Sequence, residues 1–311
     1  MERKLVLGAW SWGKGAAGGD QVFGNNYGVK ELKPVFEEGL KYGLNTIDTA
    51  AVYGMGASEE ILGSFIKEID RKNIVISTKF TPQIADGTKE EMLNMFNGSL
   101  ERLNTDYIDL YWIHNPMNVE RYTKELIPLF KTGKIKRIGL SNHNLKEIKL
   151  ASEILKTEGI KVSAIQNHYS LLHRSSEKAG ILDYCKKNGI EFYSYMVLEQ
   201  GALSGRYSSS HPFAENSERG KVYNPILDKL DNLIAVLSNI GKNHDLNVSQ
   251  TAISWAIGKG TIPIIGVTKT YQVKEAYEAL NVELNQEEML KLENEASKIK
   301  VNTLRDWEKE M

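Results

Sequence analysis

The stretch Lys41-Tyr42-Gly43-Leu44-Asn45-Thr46-Ile47-Asp48 contains the end of one secondary-structure element and the whole of the next. A lysine followed closely by glycine is a common helix stop, because the cation favours the helix C-terminus and glycine accepts the left-handed backbone found there. The short β-branched run that follows is predicted to be a strand. The same order recurs after Lys131-Thr132-Gly133 and Lys187-Asn188-Gly189, which indicates alternating helices and strands.

Eight short runs rich in β-branched or aromatic residues are predicted to be strands. They are Leu5–Ala9, Thr46–Asp48, Ile74–Ser77, Tyr107–Ile113, Ile135–Leu140, Val162–Ile165, Glu191–Ser194 and Thr261–Ile264. Amphipathic helical patterns lie between them. A strand followed by a helix, eight times over, indicates parallel pairing with right-handed crossovers and favours a closed (β/α)8 TIM barrel, an α/β fold, over an open sheet.

The length of 311 residues suggests about two domains, but a single barrel of this type typically takes about 250 residues. The chain has no linker, low-complexity tract or composition shift that would divide it. We therefore expect one domain over residues 1–311. Two segments exceed a minimal barrel: an insertion at 200–240 and a helical tail at 285–311, which should pack on the exterior.

The composition is that of a soluble globular protein, with 41% hydrophobic and 25% charged residues. A formal net charge of −1 argues against a nucleic-acid binder, and no apolar stretch approaches the roughly 20 residues of a membrane span. The N-terminal apolar run is too short for a signal peptide, so the expected location is cytoplasmic. The single cysteine, Cys185, lies in an amphipathic stretch and is expected in the core rather than as a nucleophile.

Gly13-Lys14-Gly15-Ala16-Ala17-Gly18 matches the dinucleotide fingerprint G-x-G-x-x-G, and an acidic residue, Asp48, ends the second strand. The third glycine of that fingerprint should begin a helix whose N-terminus meets the pyrophosphate. Here repeated Gly and Asn continue to Gly28, which argues against a helix, and Asp48 lies about 30 rather than about 20 residues downstream. We predict that residues 13–28 form a flexible loop over the barrel mouth.

Chemistry in such barrels gathers at the C-terminal ends of the strands, where this chain places reactive side chains. Asp48 with the nearby Tyr53, Lys79 and His114 follow or end the second, third and fourth strands. Alone, each could be a turn cap, a rim aromatic, a strand end or an interior histidine. Together they favour catalysis, since a buried Lys79 needs the charge of Asp48 and is expected to lower the Tyr53 pKa, making that phenol a proton donor to a carbonyl.

Metal and serine-hydrolase chemistry find no support. The six histidines include no H-E-x-x-H pair and no zinc-ligand spacing, and there is no G-x-S-x-G elbow. The sequence therefore predicts no metal site.

The run Gly43–Gly54, followed by Ser58-Glu59 and Leu62-Gly63, resembles the signature of the aldo-keto reductases. The resemblance implies a (β/α)8 barrel, a nicotinamide dinucleotide (usually NADPH, with NADH possible) and a small aldehyde or ketone substrate. It also implies a catalytic tetrad of Asp48, Tyr53, Lys79 and His114. In that tetrad Tyr53 donates the proton, Lys79 and Asp48 tune it, and His114 orients the carbonyl.

The resemblance also implies cofactor-binding positions. Ser141, Asn142 and Gln166 would bind the carboxamide and Tyr195 would stack on the nicotinamide. The further positions are Ala9, Trp10, Leu198, Gln200, Gly201, Leu203, Gly205, Arg206, Gly266, Val267, Thr268, Lys269 and Gln272. The 200–240 insertion would cover the cofactor.

Two departures from the family pattern stand out. Gln272 and Ala276 replace the Arg and Asn that many members use at the adenosine end, which leaves Lys269 as the expected partner of a 2′-phosphate. The N-terminal hairpin that usually closes the barrel bottom is expected to be missing or replaced, because the first strand begins almost at Met1.

Aromatic residues and His114 are expected to form the substrate pocket. They are Trp10, Trp12, Phe23, Tyr27, Tyr53, Trp112 and His114. Two alternatives to a reductase stay open: an NADP(H)-binding sensor barrel with little turnover, and a non-redox isomerase or aldolase with Lys79 as Schiff-base lysine. The second is disfavoured because Asp48 would raise the lysine pKa that such chemistry needs lowered.

Overall fold

Eight parallel strands close into a barrel in the computed structural model, which describes residues 4–305, 308 and 311. The strands are β1 (Val6–Gly8), β2 (Thr46–Asp48), β3 (Val75–Phe80), β4 (Ile108–Ile113), β5 (Ile135–Ser141), β6 (Val162–His168), β7 (Glu191–Tyr195) and β8 (Ile262–Gly266). Each pairs with the next in sequence, and β8 pairs with β1. The predicted (β/α)8 barrel is confirmed.

Helices connect the strands and surround the barrel. In the described part of the chain they are α1 (Gly19–Phe23), α2 (Val29–Lys41), α3 (Ala57–Ile66), α4 (Glu91–Leu103), α5 (Val119–Lys131), α6 (Leu145–Lys156), α7 (Ser175–Lys178), α8 (Ile181–Asn188), α9 (Glu218–Tyr223), α10 (Leu227–Lys242), α11 (Val248–Gly258), α12 (Thr270–Leu280) and α13 (Gln286–Ser297). Short 3-10 turns lie at Tyr53–Gly56, Arg71–Asn73, Pro82–Ile84, Glu199–Ser204 and Asn224–Ile226. None of these helices is long and apolar enough to cross a membrane.

The strand ends lie within three residues of the predicted ends, and both ends of β2 match. The predicted stop after α2 holds, with Gly43 at φ +71°. One expectation about residues 13–28 is wrong, because Gly19–Phe23 form a short helix. The close turn at Gly18 and Gly19 places this segment against the backbone of Ser11 and Gly13, and these contacts outweigh the poor helix propensity of glycine.

Side chains alternate along the strands between two apolar layers. One layer, which includes Leu7, Ile47 and Ile76, packs against the surrounding helices. The other fills the barrel interior and consists of Val6, Leu110, Trp112, Ala164 and Tyr193, with Ile262 and Ile264 packed against them. Packing inside is tight: a Cβ on Gly139 of β5 would lie 2.1 Å from the Trp112 ring.

Charged residues occupy the N-terminal ends of the strands, at the barrel bottom. Glu191 at the start of β7 pairs with Lys4 (3.1 Å) and with Arg137, and it accepts a hydrogen bond from the Tyr193 hydroxyl (3.0 Å). Tyr193 also belongs to the interior apolar layer, so the ionic cluster is in direct contact with that layer.

The segments beyond a minimal barrel have different locations. Of the 200–240 insertion, residues 200–223 lie at the barrel mouth, where α9 packs against α1, whereas α10 packs on the exterior against α11 and α13. The predicted tail at 285–311 contains α13, whose Leu292 and Ala296 are buried. Residues 1–3, 306, 307, 309 and 310 of the expected domain lie outside the described residues.

Candidate active site

A cavity of about 610 Å³ opens at the C-terminal ends of the strands. Its wall includes strand-end residues from around the barrel, among them Asp48, Ser141, Gln166, Tyr195 and Gly266. Segments 17–27 and 200–219 form its rim. The closed parallel barrel thus brings together side chains that are far apart in sequence, as expected for this fold.

Asp48, Lys79 and Tyr53 form a buried polar chain beside this cavity. The Lys79 ammonium donates hydrogen bonds to Asp48 Oδ2 (2.6 Å), to the Thr49 carbonyl (2.7 Å) and to the Tyr53 hydroxyl (3.3 Å). Lys79 is fully buried, and Asp48 is 4% exposed. Three donors are needed to make these contacts, which is the full capacity of a protonated lysine.

The second oxygen of Asp48 is held from two other strands. Asp48 Oδ1 accepts hydrogen bonds from Ser77 Oγ (2.7 Å) and from Gln166 Nε2 (3.1 Å). Ser77 in turn accepts from Trp112 Nε1 (2.7 Å). The carboxylate is therefore fixed by partners on β3 and β6 as well as by Lys79.

Burial, and then the negative charge of Asp48, raise the pKa of Tyr53 well above its ordinary value. The expectation that Lys79 would lower this pKa is not met, because desolvation of the phenolate dominates. Burial lowers the pKa of Lys79, although Asp48 opposes the change. Tyr53 is therefore a protonated phenol at neutral pH.

His114 lies edge-on to Tyr53, with ring centroids 5.9 Å apart. Its Nδ1 is 2.8 Å from Thr81 Oγ1. Burial, and then the charge of Lys79, lower the pKa of His114 well below its ordinary value, so the imidazole is neutral. On the other side Trp10 stacks on the Tyr53 ring at 5.7 Å and also contacts Phe23 edge-on.

The glycines of the G-x-G-x-x-G segment support the turn that carries Tyr53. Gly15 has φ +117°, and a Cβ there would lie 3.0 Å from the Gly54 carbonyl oxygen. A Cβ on Gly13 would lie 2.9 Å from Ala57. In this barrel the glycines therefore allow two loops to approach closely, and the described strands form a closed barrel rather than the open sheet of a Rossmann fold.

Residues at the ends of β5 and β6 contribute polar groups to the cavity wall. Ser141 Oγ is buried and has no hydrogen-bond partner within the described ranges. Asn142, at φ +61°, donates from Nδ2 to the His114 carbonyl (3.0 Å) and to Asn115 Oδ1 (3.0 Å). An unpartnered buried hydroxyl beside a fixed amide and the Tyr195 ring fits a planar carboxamide such as that of nicotinamide.

Cationic and aromatic side chains line the other end of the cavity. The Lys269 ammonium lies 4.1 Å from the centroid of the Tyr27 ring, and the Arg206 guanidinium lies 4.9 Å from that of Tyr271. Gln272 lines the cavity too, but its Oε1 accepts the backbone N–H groups of Thr268 (2.8 Å) and Lys269 (3.0 Å). This end of the cavity fits phosphate groups and a planar base.

Most predicted site residues line the cavity. They are Asp48, Tyr53 and His114 of the tetrad; Trp10, Ser141, Asn142, Gln166, Tyr195, Leu198, Gln200, Gly201, Arg206, Gly266, Thr268, Lys269 and Gln272 of the cofactor set; and Phe23 and Tyr27 of the substrate set. Lys79 lies behind Tyr53 and does not reach the wall.

Trp12 and Trp112 were wrongly predicted to lie in the substrate pocket. Both are fully buried. Trp12 packs on Phe65 and donates from Nε1 to the Val267 carbonyl (2.8 Å), and Trp112 fills the barrel interior. Trp12 lies in the loop after β1, where its contacts with Phe65 and Val267 direct it away from the cavity, whereas Trp112 of β4 is packed into the interior layer.

Four predicted cofactor residues are absent from the cavity wall: Ala9, Leu203, Gly205 and Val267. Ala9, Leu203 and Val267 are fully buried, and Ala9 uses its backbone groups to bind Asp48 and Ser58. Gly205 ends the turn after β7 and approaches the Val248 side chain. The predicted cofactor contacts of the buried Ala9, Leu203 and Val267 are corrected to support of the residues beside them, whereas that of the exposed Gly205 stays a prediction.

The sequence interpretation missed several cavity residues. They include Asn25, Thr81, Gln83, Asn115, Arg219 and Tyr271. Arg219 stacks over the rings of Tyr207 and Phe213, and its Nη1 points to the Gln200 carbonyl at 3.4 Å. Gln83 and Asn115 follow predicted strand ends, and this position could have identified them. Arg219 lies within the insertion, where the sequence offered no such positional signal.

The closed parallel barrel and the buried chain of Asp48, Lys79 and Tyr53 at its mouth place this protein among the α/β barrels that carry a polar site at the C-terminal ends of the strands. The chain belongs to the aldo/keto reductase family, whose family model matches residues 4–295. It is thereby placed among the oxidoreductases.

Named relatives agree with this assignment. The chloroplastic pyridoxal reductase of Arabidopsis thaliana is 31% identical over 304 residues, which cover 93% of this chain and 82% of the relative. An aldo-keto reductase from Klebsiella pneumoniae, solved in complex with NADPH, is 25% identical with a TM-score of 0.73, covering 93% and 89% of the two chains. The glycerol dehydrogenase of Gluconobacter oxydans, 24% identical, shares the fold with a TM-score of 0.82 over 97% and 94%.

Proposed function

We propose that this protein reduces an aldehyde or ketone to the alcohol with NADPH, and that Tyr53 is the general acid. The observation that carries the proposal is the contact between the Tyr53 hydroxyl, at the cavity wall, and Lys79, which Asp48 holds in a fully buried position. A chain of this kind supplies one proton at a fixed point and stabilises the charge left behind.

NADPH is the cofactor that the family and the Klebsiella pneumoniae complex support. When bound, it supplies the hydride for the carbonyl carbon. Ser141, Asn142 and Gln166 would hold its carboxamide, and Tyr195 would lie on its ring. Arg206 and Lys269 would neutralise its phosphates, since both are cations on the cavity wall.

Tyr53 and its neighbours Lys79 and His114 would handle the proton and orient the substrate. The raised pKa keeps Tyr53 protonated until the carbonyl oxygen gains negative charge. Tyr53 then gives that oxygen its proton, and the Lys79 ammonium stabilises the phenolate. Neutral His114 shares a hydrogen bond with the Thr81 hydroxyl through Nδ1. In the tautomer whose Nδ1 accepts this bond, the ring proton is on Nε2 and can orient the carbonyl.

The geometry does not favour a Schiff-base lysine. Lys79 is fully buried and is not part of the cavity wall. Its ammonium donates its three hydrogens to Asp48, Thr49 and Tyr53. Its lowered pKa alone does not give it access to a substrate carbonyl. The sensor alternative keeps the same cofactor site, and turnover distinguishes it from the reductase.

The Tyr53→Phe variant tests the general acid. It removes the hydroxyl and keeps the ring that stacks on Trp10. We expect turnover of aldehydes to fall by about 10² to 10⁴-fold, the usual contribution of a general acid, with little change in the NADPH dissociation constant. Tyr42→Phe, whose ring contacts Tyr277 on the barrel exterior, is the matched control. Aldehyde reduction by Tyr53→Phe at the rate of the control would refute the assignment, and NADPH binding without turnover by the unmodified protein would favour the sensor.

We further propose planar aromatic aldehydes as the preferred substrates. Trp10 and Phe23 meet edge-on beside Tyr53 and offer flat apolar walls, and one relative is named a pyridoxal reductase. The test compares kcat/KM for benzaldehyde and pyridoxal with that for hexanal. We expect a preference of at least about tenfold for the ring compounds, which Trp10→Leu should abolish because one stacking contact contributes about 0.5–1.5 kcal/mol. A preference for hexanal, or an aromatic preference unaffected by Trp10→Leu, would contradict this substrate class.

A further inference from the structure

The carboxylate of Glu308 contacts the hydroxyl of Tyr195, the residue predicted to stack on the nicotinamide. The single hydroxyl hydrogen of Tyr195 is shared between Glu308 Oε1 (2.7 Å) and Asn142 Oδ1 (2.5 Å). The Asn142 amide continues to the His114 carbonyl at 3.0 Å. Hydrogen bonds thus connect Glu308 to the backbone of His114 through two residues that line the cavity.

Glu308 is itself fixed by a buried histidine. His168, 1% exposed, has Nδ1 3.0 Å from Glu308 Oε2 and Nε2 2.8 Å from Glu199 Oε1. With a carboxylate on each nitrogen, both nitrogens act as donors, and the imidazole is an imidazolium. Burial alone would lower the pKa of His168, but Glu199 and Glu308 outweigh it and raise it to about 10. The ring of His168 also lies against that of Tyr195, with centroids 5.7 Å apart.

Glu199 secures the same ion cluster to the segment after β7. Its carboxylate accepts hydrogen bonds from Ser170 Oγ and from the Tyr223 hydroxyl (2.6 Å) in addition to His168. Glu199 and Gln200 have φ of +47° and +51°, a backbone conformation that persists only when surrounding contacts enforce it. The tail reinforces this region, because the buried Arg305 donates to Gln200 Oε1 and lies 5.0 Å from the Tyr223 ring.

We propose that Glu308 is a positioning residue that fixes Tyr195 and Asn142 for cofactor binding. The inference rests on the proposed function, because it assigns Tyr195 and Asn142 to the nicotinamide. A charged acceptor holds a phenolic hydroxyl more strongly than a neutral one. Held at its hydroxyl end and against His168, the Tyr195 ring has one orientation before the cofactor arrives, which reduces the entropy lost on binding.

A double-mutant cycle between Glu308→Gln and Tyr195→Phe tests the proposal. Glu308→Gln keeps the side-chain shape and removes the charge, and Tyr195→Phe keeps the ring and removes the hydroxyl. NADP⁺ affinity is measured by isothermal titration calorimetry and stability by thermal unfolding of the protein without cofactor, in both single variants and the double variant. Asn302→Ala, an exposed residue of the same tail whose side chain binds only the Leu304 N–H in the described structure, is the control.

We expect each single variant to weaken NADP⁺ binding by about three- to tenfold, the value of one such hydrogen bond. The double variant should bind no more weakly than Tyr195→Phe, because Glu308 acts through the lost hydroxyl. KM for NADPH should rise more than kcat falls, and Asn302→Ala should match the unmodified protein.

Three results would overturn the role of Glu308. Losses in affinity that multiply in the double variant would mean that Glu308 acts independently of Tyr195. A lowered melting temperature with unchanged NADP⁺ affinity would assign it a structural role only. The third result is that the unmodified protein binds no NADP⁺. In that case the proposed function fails together with the role of Glu308, whereas in the first two cases the unmodified protein binds NADP⁺ and only the role of Glu308 fails.

Discussion

At the scale of single residues, burial determines what the polar groups at the barrel mouth can do. Asp48 and Lys79 are tolerated inside the protein because each neutralises the other and every donor of the ammonium is used. Tyr53 is polarised by this pair but keeps its proton, since desolvation raises its pKa. Ser141 differs from all three, because its buried hydroxyl has no partner among the described residues.

An unpartnered hydroxyl costs stability in the protein without cofactor and gains a partner only when a ligand supplies one. Ser141→Ala is therefore expected to leave the free energy of unfolding unchanged or slightly higher, while NADP⁺ affinity falls by about three- to tenfold. Urea unfolding and calorimetric titration measure the two effects.

The control is Ser194→Ala, which removes a buried hydroxyl 2.8 Å from Thr261 Oγ1. That variant should lower the free energy of unfolding by about 1 kcal/mol. If Ser141→Ala destabilises the protein as much as Ser194→Ala, the hydroxyl of Ser141 has a partner within the protein and is not reserved for a ligand.

At the scale of elements, the strands bring the catalytic groups to one end of the barrel, and the loops at the barrel mouth determine their final positions. Tyr53 lies in a 3-10 turn, and that turn is packed against the loop after β1 at Gly15 and Gly54. Helix α1 of the same loop packs against α9, so the loop after β1 and the insertion after β7 form one rim. A change in either loop should therefore affect the site without disturbing the barrel.

Gly15→Ala tests this dependence. At φ +117° an added Cβ is strained, and it would lie 3.0 Å from the Gly54 carbonyl oxygen, so the Tyr53 turn must shift. We expect kcat to fall by at least about tenfold and stability by about 1–2 kcal/mol. Gly133→Ala, at φ +76° with no heavy atom within 4 Å of the added Cβ, should show the loss of stability without the loss of kcat. Equal kcat in the two variants would contradict the coupling.

At the scale of the whole molecule, an ionic network connects the C-terminal helix α13 to the barrel. Glu177 of α7 accepts hydrogen bonds from Arg174 (2.7 Å), Lys259 (2.8 Å) and the Tyr169 hydroxyl (2.8 Å). Lys259 and Arg174 also bind Glu293 of α13. Burial alone would raise the pKa of Glu177, but the hydrogen bonds from Arg174 and Lys259 outweigh it and lower the pKa to about 2.

A carboxyl whose pKa is lower in the folded than in the unfolded protein stabilises the fold at high pH. Its contribution is complete above the unfolded value of about 4.5 and is lost as the pH falls towards about 2. Glu177→Gln should therefore lower the free energy of unfolding by about 1–2 kcal/mol at pH 7, and the difference from the unmodified protein should shrink between pH 4.5 and pH 2.

Urea unfolding at pH 7, 4 and 3 measures that difference. Glu120→Gln, which removes an exposed carboxylate paired only with Lys124 in the described structure, is the control and should show at most a small pH-dependent difference, because solvent screens an exposed pair. If Glu177→Gln lowers the free energy of unfolding by the same amount at every pH, the variant has lost packing rather than an ionic contact.

The sequence by itself determined the alternation of eight strands with helices, and thereby the barrel and the assembly of Asp48, Tyr53, Lys79 and His114 at one end of it. Helix stops, hydrophobic periodicity and strand-end position are local signals, and the closed topology converts them into proximity. The ends of the strands were less well defined, because fraying and register depend on neighbouring strands.

Only the tertiary structure decided which side chains face the cavity and how they are charged. Trp12 and Trp112 are aromatic residues like Trp10, yet contacts made by distant parts of the chain bury them. Burial also raises a Tyr53 pKa that Lys79 was expected to lower. The contact of Glu308 with Tyr195 joins residues 113 positions apart. Such contacts depend on the packing of the whole chain, which no local pattern encodes.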